Sequence, residues 1–335
     1  MLHRNILLFV VVAVSACFGG AQTVTPPKKA SLPDLNKFAV IINGPGGEPA
    51  YAKQFEQWTV ELNSLLTEKF GFDCKQVRVL TEKPADNATA RSTSEEVKRT
   101  FVWLKSQLEP DNLLFLFLIG HGSFDGYEAK FNLVGPDLSA SDYNVLLSSL
   151  PTRRIVVFNM ASASGEFIKS LAGKGRIVVT ATRSGKETNA TRFPGFLIAA
   201  LNANDADTDQ DGHISVLEAF VYANRLTADF YKRAGRLATE HALLDDDGDG
   251  VGREKAEAGE GLLARATYLD SLSVEDAAAN ATTTRLLNER TRLEGEIEQL
   301  IARKARMPEA AYEAALERLF VQLAKVNRSI KQAGS

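Results

Sequence analysis

The chain has 335 residues, 44% of them hydrophobic and 24% charged, which is the balance of a globular protein with one or two domains. Its formal net charge of −3 gives no electrostatic case for a nucleic-acid partner, because phosphate binding requires clustered basic charge.

The first residues are not expected to belong to the fold. "MLHRNILLFVVVAVSACFGGAQ" carries one arginine, an apolar core from Ile6 to Val14, and then small residues. That pattern is a secretory signal, too short for a comfortable membrane span. Two cleavage readings stand side by side. "VSAC" resembles a bacterial lipobox, which would make Cys17 a lipidated N-terminus and give the protein a membrane contact through that lipid alone. "GGA" before Gln22 suits ordinary signal peptidase, which would remove residues 1–21 and leave a soluble product. Either way the protein is expected to be exported, to the bacterial periplasm, the cell envelope or the medium. In the soluble product Cys74 is the single cysteine and no internal disulfide can form; Cys74 is expected to be a half-buried packing residue.

Residues 22–36 read as a linker, because "TVTPPKKASLPD" offers nothing to a core. From residue 37 apolar strands alternate with amphipathic helices. "KFAVIING" predicts a buried strand ending in the loop "GPGGEP". The stretch 51–70 then places Phe55, Trp58, Leu62, Leu65 and Leu66 on one helical face. "QVRVL" predicts a strand, and "STSEEVKRTFVWLKSQL" a helix opened by a serine cap with glutamate behind it. "NLLFLFLIG" is a continuous apolar run, as a central parallel strand buried on both faces requires. A helix near "SASDYNVLLSSL", a strand in "RRIVVF", a helix from Ser164 and a strand in "GRIVVTAT" continue the alternation. The whole predicts an α/β sandwich with a mostly parallel sheet.

Residues 204–260 are acidic: from Asn202 to Glu257 there are 13 Asp and Glu against 6 Lys and Arg. "DTDQDGHISVLE", Asp207 to Glu218, fits the twelve-residue EF-hand loop. Carboxylates fall at positions one, three and five (Asp207, Asp209, Asp211), and Gly212 at six permits the sharp turn. His213 at seven offers its carbonyl, Ser215 at nine ligates directly or through water, and Glu218 at twelve closes the sphere with two oxygens. Hard oxygen ligands at this spacing select Ca²⁺ over soft metals. Helices are expected on both sides, in "GFLIAALNA" and "VLEAFVYANRLTADFY". A second run, "LLDDDGDGVG", repeats the start of such a loop with Asp245, Asp247, Asp249 and Gly250. Its twelfth position is Ala256, which cannot ligate, so an irregular second calcium site and a solvated acidic turn both remain open. "TEH" before it, with Glu240 and His241, reads as a helix end without a role. Residues 275–335 predict a helical hairpin. Leu293, Ile297, Leu300 and Ile301 form one stripe; beyond Met307-Pro308, Tyr312, Leu316, Leu319, Leu323, Val326 and Ile330 form another. The hairpin is expected to pack on the body or on a second copy.

The residues that could carry chemistry lie at two neighbouring strand ends. The loop "LIGHGSFDG" puts His121 and glycine amides beyond the carboxyl end of the central strand, where open α/β sheets bind ligands. The next strand ends in "NMASASG". "GHGS" after an apolar strand, followed by a strand ending in small-x-small-Gly, resembles the legumain, caspase and gingipain group of cysteine peptidases over about residues 38–203. The resemblance implies a three-layer αβα caspase-like sandwich over residues 37–203, with a histidine–cysteine dyad. It carries the histidine to His121, an oxyanion-hole amide to Gly122 and the nucleophile position to Ser162. Serine at that position changes the chemistry. A thiol is partly thiolate at neutral pH, whereas a hydroxyl needs a base in direct contact and a third group to orient that base. Asp125 is the sequence's one nearby candidate orienter. Two readings follow: a calcium-binding protein with a silent peptidase site and an unidentified protein or peptide partner, or an active peptidase or acyl hydrolase using Ser162 and His121. Arg183, Glu187 and Arg192, in the loop after the next strand, stand at the expected pocket rim.

Overall fold

A computed structural model describes residues 34–84, 88–210, 212–255 and 261–270, and from the tail 286, 289, 292, 293, 295–297, 299–301, 303, 304 and 307–333. The expected leader with Cys17, most of the linker, Asp211 and Ala256 lie outside the described residues.

Seven strands form one sheet: β1 (Lys37–Asn43), β2 (Val77–Thr81), β3 (Ala90–Arg91), β4 (Leu113–Ile119), β8 (Arg154–Asn159), β9 (Arg176–Thr180) and β10 (Leu243–Asp245). Their order is β10-β9-β8-β4-β1-β2-β3. All pairs are parallel except β9 with β10. Between β4 and β8 the chain inserts a small antiparallel sheet of β5 (Gly122–Phe124), β6 (Ala129–Phe131) and β7 (Leu138–Ser139).

The strand alternation divides the core in two. Ala39, Ile41, Phe115, Phe117, Val156 and Phe158 face one side, where α1 (Pro49–Ser64), α5 (Phe193–Asn202) and α6 (Val216–Arg233) cover them. Val40, Ile42, Leu114, Leu116, Leu118 and Val157 face the other, under α2 (Ser94–Gln107), α3 (Ala140–Ser148) and α4 (Phe167–Leu171). All seven residues of β4 are buried, which is why this strand lacks a polar face in the sequence. The fold is a three-layer α/β sandwich, as the alternation of elements predicts.

Three local expectations are corrected. Thr93, not a serine, caps α2: its backbone is extended and its hydroxyl accepts the Glu96 amide at 3.3 Å. Cys74 is exposed, because the Asp73 carboxylate ties the Lys75 amide at 2.8 Å in a tight turn that presents Cys74 to solvent. The body also does not stop at residue 203. Helix α6 supplies Val216, Leu217, Phe220 and Ala223 to the core, and β10 completes the sheet edge, so the acidic region is built into the sandwich. The chain then returns through α7 (Leu262–Arg265), and the Thr267 carbonyl accepts the Val216 amide at 2.8 Å.

In the tail, α8 (Glu309–Ala333) follows Pro308. Leu293, Ile297 and Leu319 are buried together, with Leu300, Leu316, Leu323 and Val326 packed against them. Among the described residues this cluster contains no residue of the body, so the two stripes bury each other. Ile301 departs from its stripe and is exposed.

Candidate functional site

The sheet changes direction between β1 and β4. From β1 the chain moves outward to β2 and β3; from β4 it moves the opposite way to β8, β9 and β10. The crevice beyond the carboxyl ends of β1 and β4 is therefore the topological switch point, the preferred ligand position in open α/β sheets. His121 follows β4 there, opposite the glycine loop that follows β1.

The His121 ring is fixed from two directions. Its Nε2 lies 3.2 Å from the Gly46 carbonyl oxygen, which can only accept, so Nε2 carries the hydrogen and a neutral ring keeps its basic lone pair on Nδ1. Tyr51 and Phe55 of α1 meet the ring edge-on, with centroids 5.3 and 5.1 Å away. Gly46 is needed because α1 passes close by: a Cβ there would stand 2.3 Å from the Ala52 nitrogen.

Ser162 sits in the turn after β8 and is 2% exposed. Its hydroxyl accepts the Gly122 amide at 3.1 Å and lies 3.2 Å from the Gly122 carbonyl, to which it donates. The two strand ends thus do meet, but through the Gly122 backbone. Among the described residues no hydrogen bond joins the His121 ring to Ser162. Gly122 has no room for a side chain, since a Cβ would fall 2.4 Å from the Ser162 carbonyl oxygen.

The rest of the turn is held tightly. Ala163 adopts a left-handed conformation, φ 53°, which is uncommon for a residue with a Cβ and costs about 1 kcal/mol. Its amide donates to the Glu187 carbonyl at 2.8 Å, which helps to hold that conformation. The Ser164 hydroxyl accepts the Ala181 and Thr182 amides at 3.1 and 3.2 Å. At Gly165 a Cβ would meet the Arg183 carbonyl carbon at 2.3 Å, so the final glycine of small-x-small-Gly is imposed by a crossing backbone.

Asp125 does not orient His121. Its carboxylate accepts the Tyr127 and Glu128 amides, both at 2.9 Å, and these bonds hold it below the usual carboxylate range. The rim residues are engaged as well. Glu187 pairs with Arg183 at 3.3 Å and with the His241 ring, while Arg192 lies over the Phe230 ring at 5.4 Å. Glu240 and His241 do not end a helix. Glu240 is buried and accepts the Arg192 and Phe193 amides, capping α5 from 48 and 47 residues away. No local sequence pattern points to either contact.

The acidic loop that begins at Asp207 lies between α5 and α6, whose Phe196 and Phe230 rings pack 5.9 Å apart. One carboxylate oxygen from each of Asp207, Asp209 and Glu218 lies within 4.8 Å of the others. Oxygens that share a calcium ion at about 2.4 Å stand no more than about 4.8 Å apart, a spacing that these three meet and that does not by itself require an ion. The Gly212 amide donates to Asp207 at 2.9 Å, and Gly212 has φ 87°. Glu218 bridges the loop ends: one oxygen accepts the Thr208 amide and hydroxyl, both at 2.9 Å, and the other the Ser215 amide and hydroxyl at 3.0 and 2.8 Å. Burial opposes its ionisation, but the Ser215 and Thr208 donors outweigh it and hold the carboxyl below its usual range. Ser215 also caps α6, and the His213 ring turns away from the loop to Asp270.

The second acidic run shares this geometry. Asp245 accepts the Gly248 and Gly250 amides at 2.9 and 2.7 Å, and Asp245, Asp247 and Asp249 also bring oxygens within 4.8 Å. Burial pushes the Asp245 carboxyl up, against those two amides, and the charges of Asp247 and Asp249 add to the rise. Arg253 pairs with Asp249 at 2.8 Å and supplies part of the countercharge.

No family model matches the chain, and no curated protein matches its sequence. Among solved structures it is similar to a Geobacter sulfurreducens protein known from a structural-genomics crystal structure. The two are 12% identical and superpose with a TM-score of 0.41 over 62% of this chain and 92% of that one.

Proposed function

We propose that the protein is an exported, calcium-binding protein built on a caspase-like peptidase fold whose catalytic turn is silent, and that it acts by binding a protein or peptide partner. The observation that supports this best is the position of the Ser162 hydroxyl. It is withdrawn from solvent and bonded to both the amide and the carbonyl of Gly122, the residue whose amide would otherwise stabilise an oxyanion. A serine nucleophile needs an imidazole on its hydroxyl, and among the described residues no hydrogen bond joins the His121 ring to Ser162.

Wild type and Ser162→Ala should then hydrolyse peptide and ester substrates at the same background rate. Ser162→Cys should gain weak activity that disappears with His121→Ala, because a thiolate needs less from its base than a hydroxyl does. Robust wild-type hydrolysis that is lost in Ser162→Ala would replace this reading with that of an active peptidase or acyl hydrolase. One observation favours that second reading: the Gly46 carbonyl fixes the ring as the third member of a triad would. Export is tested by mass spectrometry of the mature N-terminus. A diacylglyceryl Cys17 or a free start near Gln22 is expected, and an intact Met1 in the cytoplasmic fraction would overturn it.

A further inference from the structure

Helix α8 uses one stripe, Leu316, Leu319, Leu323 and Val326, to cover Leu293, Ile297 and Leu300. A second face lies about 130° further round the helix, where Glu313, Glu317, Phe320, Val321, Ala324 and Arg328 follow one another at the three- and four-residue spacing of helical neighbours. All six are exposed, Phe320 at 50% and Val321 at 48%.

The face is complementary to its own reverse. Glu313 lies seven residues before Phe320, and Arg328 lies seven residues after Val321. Glu317 lies three residues before Phe320, while Ala324 and Lys325 stand three and four residues after Val321. Turning the helix end over end about the Phe320–Val321 midpoint therefore sets acid against base and Phe320 against Val321. Glu313, Glu317, Lys325 and Arg328 form no ion pair among the described residues. The helix dipole alone favours acid first and base last. It gives no reason for two large apolar side chains at the midpoint of the charges, on a face that a solvated helix would keep polar.

We infer that this face binds a second copy of the chain, with the two α8 helices antiparallel across a twofold axis between Phe320 and Val321. Such an interface is isologous, so every contact is made twice. Phe320 of each copy covers Val321 of the other, Glu313 meets Arg328, and Glu317 reaches Lys325. Ala324 is small enough to let the helix axes approach near the centre. A parallel pairing would instead oppose Glu313 to Glu313 and Arg328 to Arg328, which is repulsive at both ends. The inference does not depend on whether Ser162 is catalytic.

Sedimentation equilibrium of the full chain tests it. A reversible monomer–dimer equilibrium is expected, with a dissociation constant of about 1–100 μM because the interface is small. Glu313→Arg alone, or Arg328→Glu alone, brings like charges together at both symmetric positions and should weaken the dimer at least about tenfold. The double reversal restores opposite charges and should return the constant to within about threefold of wild type. Val321→Lys places two ammonium groups at the axis and should leave the protein monomeric. All three positions are exposed, so the helix content and melt of each variant should match wild type. The inference fails if the wild-type protein stays monomeric at about 100 μM, if either single reversal associates like wild type, if the double reversal does not recover the dimer, or if association survives Val321→Lys.

Discussion

Replacing Glu240 with alanine should lower the stability of the protein by about 3 kcal/mol. Its carboxylate is 2% exposed and accepts the Arg192 amide at 2.9 and 2.8 Å, the Phe193 amide at 3.0 Å and the Tyr231 hydroxyl at 3.0 Å. Those amides open α5, where the first N–H groups have no partner within the helix and the dipole favours negative charge. Burial pushes the Glu240 carboxyl up, against the two amides and the hydroxyl, so the site sits on a near balance of desolvation and hydrogen bonding. Alanine leaves the buried Phe193 amide unsatisfied, at about 1–3 kcal/mol, and takes the acceptor from the part-buried Arg192 amide and the Tyr231 hydroxyl as well. For a domain of this size the loss corresponds to a drop in Tm of about 6–12 °C. Glu240→Gln keeps one acceptor oxygen and should fall between the two. A Tm for Glu240→Ala within about 2 °C of wild type would show that the carboxylate does not carry the cap.

That cap also marks where the sequence stops being informative. The β4 run Leu113–Ile119 announces a strand buried on both faces, because only such a strand can be apolar throughout. The acidic turn that begins at Asp207 is legible in part: Asp207, Asp209 and Glu218 lie within twelve positions of one another, and Gly212 takes a positive φ. Small-x-small-Gly is legible for a physical reason too: the Arg183–Ser184 backbone crosses where the Gly165 side chain would be. Glu240 and His241 leave no such trace. Their partners, Arg192, Phe193 and Glu187, lie about 50 residues away, and nothing within a helical or strand period identifies them. The same holds for β10, three residues that join the sheet only because α6 brings the chain back across its face. The position of the Ser162 hydroxyl is the sharpest case. The sequence places serine at the turn, but its attachment to Gly122 depends on how closely two strand ends approach.

Calcium should raise the melting temperature of the wild-type protein by about 5–10 °C at a hundredfold excess over its dissociation constant, which corresponds to about 2.7 kcal/mol of stabilisation by mass action. The physical reason lies in the loop's charge. Asp207, Asp209 and Glu218 bring oxygens within 4.8 Å of one another, and like charges at that distance repel unless a divalent cation lies between them. An exported protein would meet millimolar calcium, so a weak site, with a constant of about 10⁻⁴ to 10⁻³ M, would suffice. Magnesium should stabilise far less, because it demands a smaller octahedral shell and gives up its waters reluctantly. Glu218→Gln should abolish most of the calcium shift by removing the charge of the twelfth-position carboxylate, the residue expected to bind the ion through both oxygens. Glu218 also accepts the Ser215 amide and hydroxyl at the start of α6, so the variant should melt lower even with chelator present. The informative quantity is therefore the calcium-induced shift within each protein rather than the difference between them. A shift of equal size in wild type and Glu218→Gln would move calcium binding away from this loop, with Asp245, Asp247 and Asp249 the next residues to substitute; no shift in either protein would remove calcium from the account altogether.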